Sequence, residues 1–438
     1  MRPLFLAPLL ACLLLSACGA SGAGPGDKSD AGGMTSSGGR PGTGGLGSGG
    51  AATLETGGQP GAGGTAGSAT GGADVTGGRT GGTGGVAGTG GADGQAGRAG
   101  TGGTGTGGAG GAGGESSCTT PPPASPLVGW AAAAGLNLDT TTGGGTAIPQ
   151  VVTTASALAA AATGSGPGVI YVKGVLSSAK ISVGSNKTIV GLCGAEIHGH
   201  LELSGSSNVI VRNLKIVGYG VGNCALDPDY TASVGCSSGN DAVTVNGGSH
   251  HLWFDHCDIS DGTDGNLDIT NGSDFITVSW TRFHYTPRTD NSGNDSTGAE
   301  GHRFSNLIGA DDGLAIDVGH LNVTWHHDWW ADNVSQRMPR TRSGRIHLYN
   351  NLYTSTGNSY CTNAGDGAHL LVENNVYSGV KGPLQVVTNG DMLARNNLFM
   401  NTSGTTTANG TGFTPSYSYM PDAASTVESA VRTGTGPK

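Results

Sequence analysis

His251-Leu-Trp-Phe-Asp-His-Cys-Asp-Ile259 and Phe275-Ile-Thr-Val-Ser-Trp-Thr-Arg-Phe283 are two copies of one nine-residue phrase, and the same phrase returns at 208–216, 322–330, 345–353, 369–377 and 391–399. Successive starts are 43, 24, 47, 23, 24 and 22 residues apart, so single steps cluster at 22 to 24 and one extra coil or one large loop fits each long step. The second, fourth and ninth positions are mainly apolar, which reads as a strand with one buried face. The sixth holds Asn213, His256, Trp280, His327, Asn350, Asn374 and Asn396. Asparagine tolerates tight turns and bonds backbone groups, so this column suggests a side-chain ladder at one corner of a coil.

A strand-rich unit this short cannot close a core alone and must stack on its neighbours. The repeat therefore predicts an all-β parallel β-helix, a single-stranded solenoid with long loops. A β-sandwich is the competing architecture, but the two-residue Asn-Gly or Asp-Gly turns it needs do not recur between the phrases.

Upstream of the repeat the character of the chain changes. Arg2, an apolar run from Leu4 to Leu15 and Leu15-Ser16-Ala17-Cys18 have the order of an export signal ending in a lipoprotein cleavage site, so residues 1–18 are expected to be a signal with lipidation at Cys18. Residues 19–117 are mostly Gly, Ala, Thr and Ser, with too few large apolar side chains to offset backbone entropy, and read as a disordered tether. The folded domain is expected over 118–438, on the bacterial outer membrane or cell surface, as a monomer.

Apart from Cys12 and Cys18, six cysteines remain at 118, 193, 224, 236, 257 and 361. An even set in an exported chain suggests disulfides, with Cys224 and Cys236 the expected bridge. The net charge of -10 argues against a nucleic-acid partner. An acidic polymer would bind only through cations or a local basic patch.

Two acidic stations precede the repeated phrase on successive coils. Asp241 lies ten residues before His251, and Asp264 and Asp268 lie eleven and seven before Phe275. Similar offsets place them in one angular sector, and three carboxylates gathered there repel unless a hard cation such as Ca²⁺ joins them. A basic station follows: Arg337, Arg340, Arg342 and Arg345 supply four of the 21 Lys and Arg residues within nine positions. Arg337 lies eight before Arg345, which puts it in the same sector about 10 Å from the acids. His256, His327 and Trp330 occupy repeat positions and are expected to be structural, and His326 faces away from His327 as strand neighbours do.

With these motifs in place, the chain resembles the pectate lyases of the first polysaccharide lyase family. The likeness is carried by Trp253-Phe-Asp-His256, Asp264-Gly-Asn-Leu-Asp-Ile269, Gly272-Ser-Asp-Phe-Ile-Thr-Val-Ser279, Leu307-Ile-Gly309, Val323-Thr-Trp-His-His327, Arg337-Met-Pro-Arg-Thr-Arg342 and His347-Leu-Tyr-Asn-Asn351. The resemblance implies a right-handed β-helix and calcium-assisted β-elimination of polygalacturonate. It implies Asp241, Asp264 and Asp268 as calcium ligands, Arg337 as the base, and Arg342 with Arg340 as substrate-binding groups. The chain departs from the pattern at Gly239, where some members carry a further aspartate, and at Phe304, where a lysine usually stands. Arg303 or Arg288 is the expected replacement for that lysine. Three other readings stay open: a pectin lyase acting on methyl-esterified polymer, a non-catalytic carbohydrate-binding β-helix, and a hydrolase using Asp311, Asp312 and Asp317 as paired acids.

Overall fold

The structure is a computed structural model, and it describes residues 118–220, 225, 227–233, 238–287 and 302–438. The export signal, Cys18, the tether at 19–117, the Cys224 and Cys236 pair and Arg288 lie outside the described residues. The described chain is a parallel β-helix. Every strand pairs in parallel with the equivalent strand of the next coil, in one sheet of ten strands and a second of fifteen.

The repeat and the strand register coincide. The fourth positions Val211, Phe254, Val278, Trp325, Leu348 and Val372 are direct partners on consecutive strands of the ten-stranded sheet and are all buried. The ninth positions Ile216, Ile259, Phe283, Trp330, Tyr353 and Tyr377 form a second column in the other sheet. Trp330, Tyr353 and Tyr377 stack there with ring centroids 4.7 and 4.2 Å apart. Each such ring removed from water contributes roughly 1.5–3 kcal/mol, which is why columns of like residues can hold coils that share no sequential contact.

In one respect the phrase differs from its reading as a single strand. It contains two strands, such as His250–Asp255 and Asp258–Ser260, separated by a corner. The corner is the sixth position, where Asn213, His256, Trp280, His327, Asn350, Asn374 and Asn396 all have φ between 49° and 58°. This left-handed residue reverses the inside-outside parity, so positions two, four and nine can all face inward. The corner ladder is mixed: Asn350 Nδ2 donates to the Asn374 carbonyl, whereas Trp280 stacks on His327 at 4.2 Å and on His256 at 5.8 Å. A second ladder runs inside at position seven, where Asn351, Asn375 and Asn397 donate to the carbonyls of Trp325, Leu348 and Val372. The same corner brings Nδ1 of His326 to 3.1 Å from Nδ1 of His327, so these neighbours turn toward each other.

Both long steps of the repeat are loops. Strand Ser207–Arg212 pairs directly with His250–Asp255, and Asp274–Ser279 directly with Asn322–His326, with no coil between. The strand Glu196–Ser204 bends across two faces: its first half pairs with Lys215–Val217 and its second with Val243–Asn246. The arm that starts at Val243–Asn246 continues through Leu267–Ile269, Leu307–Ile308, Arg340–Arg342, Thr362–Gly365 and Leu384–Val386. Both large loops open onto this arm.

The outer side of the ten-stranded sheet is covered by both ends of the described chain. Trp130 packs edge-on against Phe275 at 6.0 Å and Tyr417 at 5.6 Å, while its backbone N–H donates to Thr324 Oγ1. Helix α1 (Ala155–Ala162) adjoins the first coils, and α2 (Ala424–Gly434) lies against the strands Leu352–Tyr353 and Val376–Ser378. Cys118 is bonded to Cys193, and Cys257 and Cys361 are free thiols buried in the core. The expectation that the whole even set is oxidised is therefore corrected for these two, which act as small apolar core residues.

Candidate active site

The strand register sets the site. The Phe304–Gln336 bridge places Ser305 beside Arg337. The amides of Asn266 and Ala242 donate to the carbonyls of Ser305 and Gly265, which carries the row back to Asp241. Asp241, Gly265, Ser305 and Arg337 are thus neighbours on four successive coils. Two or three residues further along, Thr244, Asp268, Leu307 and Arg340 form a parallel row. Arg337 stands two strand spacings beyond the coil of Asp264 and Asp268, which is about 10 Å. Acids and arginines meet on one arm because their offsets from the repeat are similar.

The acids are strained by burial. Asp241 and Asp268 are 8% and 7% exposed. Their Oδ1 atoms lie 2.8 and 3.0 Å from the point where a Cβ on Gly265 would stand, so the absence of a side chain there lets both oxygens converge. Burial, then the charges of Asp268 and Asp264, push the Asp241 carboxyl well above the usual carboxylate range, against the Thr244 hydroxyl and Arg337. Asp268 is pushed up to about 7 by burial and Asp264, while Arg337 and the Leu307 N–H oppose the shift. Asp241 Oδ1 is buried with no hydrogen-bond partner among the described residues. Asp264 Oδ1 lies 2.8 Å from Nε2 of His302.

These residues fit a hard divalent cation. A buried orphan carboxylate oxygen beside a second buried carboxylate is an electrostatic deficit that a cation with oxygen ligands removes. Among the described residues no three His, Cys, Asp or Glu groups converge closely enough to hold an ion as they stand.

Arg337 is 7% exposed, in the left-handed conformation at φ 61°. Its guanidinium lies 4.4 Å from the centre of the Phe304 ring, Tyr360 hydrogen-bonds to it, and its Nε has no partner among the described residues. Arg342 is more enclosed: Nε donates to Asp312 Oδ1 at 2.7 Å, and Nη1 to the carbonyls of Gly309 and Ala310 at 3.1 and 2.7 Å. Arg340 is half-buried next to it. Arg303 is half-buried on the coil of Phe304, its carbonyl accepting the N–H and hydroxyl of Ser335.

Four residues at the site carry no signal in the repeat: His302, Phe304 as a platform, Tyr360 and Asp312. All but Tyr360 lie in the segment spanned by the second long step, where spacing gives no phase. Tyr360 is a half-buried tyrosine facing three arginines, whose charges oppose the upward push of burial on its hydroxyl. Gly239 leaves no room for the further aspartate: a Cβ there would meet Thr263 Cγ2 at 2.3 Å and Asp227 Oδ2 at 2.9 Å. Asp317, one of the acids of the hydrolase reading, is buried and accepts the Gly272 N–H at 2.7 Å, a structural use.

Comparison with known proteins agrees with this geometry. A family model described as pectate lyase matches residues 59–437. Pectate lyase A of Aspergillus niger is 32% identical over 303 residues, covering 66% of this chain and 82% of that protein. Pectate lyase B of Colletotrichum gloeosporioides is 33% identical over 285 residues, covering 62% and 76%. A crystal structure of a pectate lyase from Bacillus sp. N165 in complex with trigalacturonate superposes with a TM-score of 0.57 at 23% identity, over 71% of this chain and 98% of that one. That likeness shows the shared fold, and the sequence matches add the lineage. A solenoid with buried aspartates two and three coils from a buried arginine, matched by the family model over most of its length, belongs to the pectate lyase family of polysaccharide lyases.

Proposed function

We propose that the chain is a calcium-dependent pectate lyase that cleaves de-esterified polygalacturonate by β-elimination, releasing 4,5-unsaturated oligogalacturonides. The observation that carries the reading is the row Asp241, Gly265, Ser305, Arg337, which puts a carboxylate pair with an unmatched oxygen and a guanidinium on one arm, the coil of the nearer acid, Asp268, lying two strand spacings or about 10 Å from that of Arg337. Asp241, Asp268 and, once released from His302, Asp264 would hold Ca²⁺. When bound, the ion neutralises the uronate carboxylate and so acidifies the C5 proton.

The chain's own residues do the rest. Arg337 accepts the C5 proton; its guanidinium is fixed from below by Phe304 and from the side by Tyr360, and it is shielded from water. Arginine is ordinarily a poor base, with a pKa above about 12. In a site shielded from water, proton transfer to Arg337 and loss of the C4 oxygen proceed together. Arg342 and Arg340 orient the substrate carboxylate, with Arg303 on the coil where relatives place a lysine. Residues 1–18 serve as the export signal, Cys18 as the lipid anchor and 19–117 as the tether of a monomeric domain at 118–438.

The deciding experiment follows ultraviolet absorbance of unsaturated product on polygalacturonate with and without EDTA. Rising absorbance that the chelator stops is expected. Activity on methyl-esterified pectin that survives EDTA would instead favour a pectin lyase, and sugar binding without product a carbohydrate-binding module.

A further inference from the structure

Beyond Arg342 the arm opens into a cavity of about 560 Å³, a size that fits a sugar unit. Its lining includes Asp311, Asp312, Asp366, Arg340, Arg342 and Asn363. The charge there is opposite to what a polyanion needs. Three carboxylates face two guanidiniums, and that of Arg342 is already matched by Asp312. Asp366 takes the Gly313 N–H, which holds the 309–313 segment along the rim.

A second observation points to a ligand. Asn363 is 4% exposed and its Nδ2 donates to Gln385 Oε1 at 2.8 Å, yet its buried Oδ1 has no partner. A buried acceptor left unmade costs about 1–3 kcal/mol, which a donor entering the cavity recovers. Sugar hydroxyls are such donors. Val387, 41% exposed on the same wall, offers an apolar surface where a carboxylate would gain nothing.

We propose that this cavity binds a galacturonosyl unit whose carboxyl group is methyl-esterified, next to the de-esterified unit at which the polymer is cut. The inference rests on the proposed function and refines its substrate to partially esterified pectin. Asp311 and Asp366 reject a free uronate, Asn363 accepts a ring hydroxyl, and the ester methyl lies toward Val387. Asp312 keeps Arg342 from serving this subsite.

The test is calorimetric binding of trigalacturonate and of its fully methyl-esterified form to the full chain carrying Arg337→Ala, in the presence of calcium, so that turnover plays no part. Adding Asp366→Asn or Asp311→Asn should raise affinity for trigalacturonate roughly three- to tenfold, as expected for removing one nearby charge, and leave the ester unchanged within about twofold. Asn363→Ala should weaken both ligands by about three- to tenfold. Asparagine at 366 keeps an acceptor for the Gly313 N–H, and Asp311→Asn is an independent arm should that loop move. Unchanged affinities in both variants, a loss of trigalacturonate affinity, which would signal a bridging cation, or no binding of either ligand would each overturn the proposal. Lyase activity without this pattern leaves the proposed function standing and removes the subsite; the pattern without unsaturated product does the reverse.

Discussion

Arg337 lies with its guanidinium 4.4 Å from the centre of the Phe304 ring. On its other flank Phe304 meets His302, ring centroids 3.9 Å apart, and His302 is the partner of Asp264. A single aromatic side chain thus links the acidic and basic halves of the site, at the position where the family resemblance expects a lysine.

Replacing Phe304 with Leu keeps apolar volume and removes the ring's attraction for the cation. A partly desolvated cation–π contact is worth about 0.5–2 kcal/mol, so kcat should fall roughly 2- to 30-fold with a smaller change in KM. Steady-state kinetics on polygalacturonate reads this; an unchanged kcat removes Phe304 from the positioning of Arg337.

Arg337→Lys keeps a positive charge but loses the planar fork. Turnover should fall by about 10²–10⁴, the usual share of a general base, while calcium binding by calorimetry stays near that of the wild type. Near-normal turnover would assign the proton to another group.

Asp268→Asn removes one of the two buried carboxylates that repel each other beside Gly265. The metal-free variant should be as thermally stable as the wild type or more so, while the rise in melting temperature on adding calcium should largely vanish. An undiminished calcium effect on Tm would exclude Asp268 as a ligand.

Glu373 supplies a pH prediction away from the catalytic arm. Burial pushes this carboxyl up, but hydrogen bonds from His347, Tyr419 and Arg395 outweigh it and hold it at about 2. A depressed carboxylate stabilises the fold above its unfolded pKa, and that stability is lost as pH falls from about 4.5 toward 2. Glu373→Gln should flatten this part of the Tm-against-pH curve. It should also destabilise the protein near neutral pH by about 1–3 kcal/mol, because the hydrogen bonds from His347, Tyr419 and Arg395 lose their charged acceptor.

Gly239→Asp restores a carboxylate present in some relatives, but Thr263 occupies its space. We expect lower thermal stability by about 1–3 kcal/mol, the usual cost of overpacking, and no gain in calcium affinity. Thr263→Gly in the same chain should recover part of the loss; a tighter calcium site in Gly239→Asp alone would show that the loop yields.

Much of this was legible in the sequence for a physical reason: parallel stacking makes register equal to repeat offset. The columns through Phe254 and Trp330, and the two-coil gap between the coil of Asp264 and Asp268 and that of Arg337, followed from counting residues. The corner at His256 was harder. A left-handed residue costs one step of parity, so apolar positions two, four and nine belong to two strands although they read as one. His302, Phe304 and Asp312 were not legible because a loop has no period, and their contacts depend on how it folds back. Nor does an even cysteine count distinguish a bridge such as Cys118 with Cys193 from a thiol that fills the core, such as Cys257.

The direct pairing of Ser207–Arg212 with His250–Asp255, and of Asp274–Ser279 with Asn322–His326, has a consequence for evolution and engineering. Excursions of any length can be spliced between rungs without altering the pitch of the spring beneath them. Specificity can then drift by swapping the walls of the cleft while its floor stays inherited.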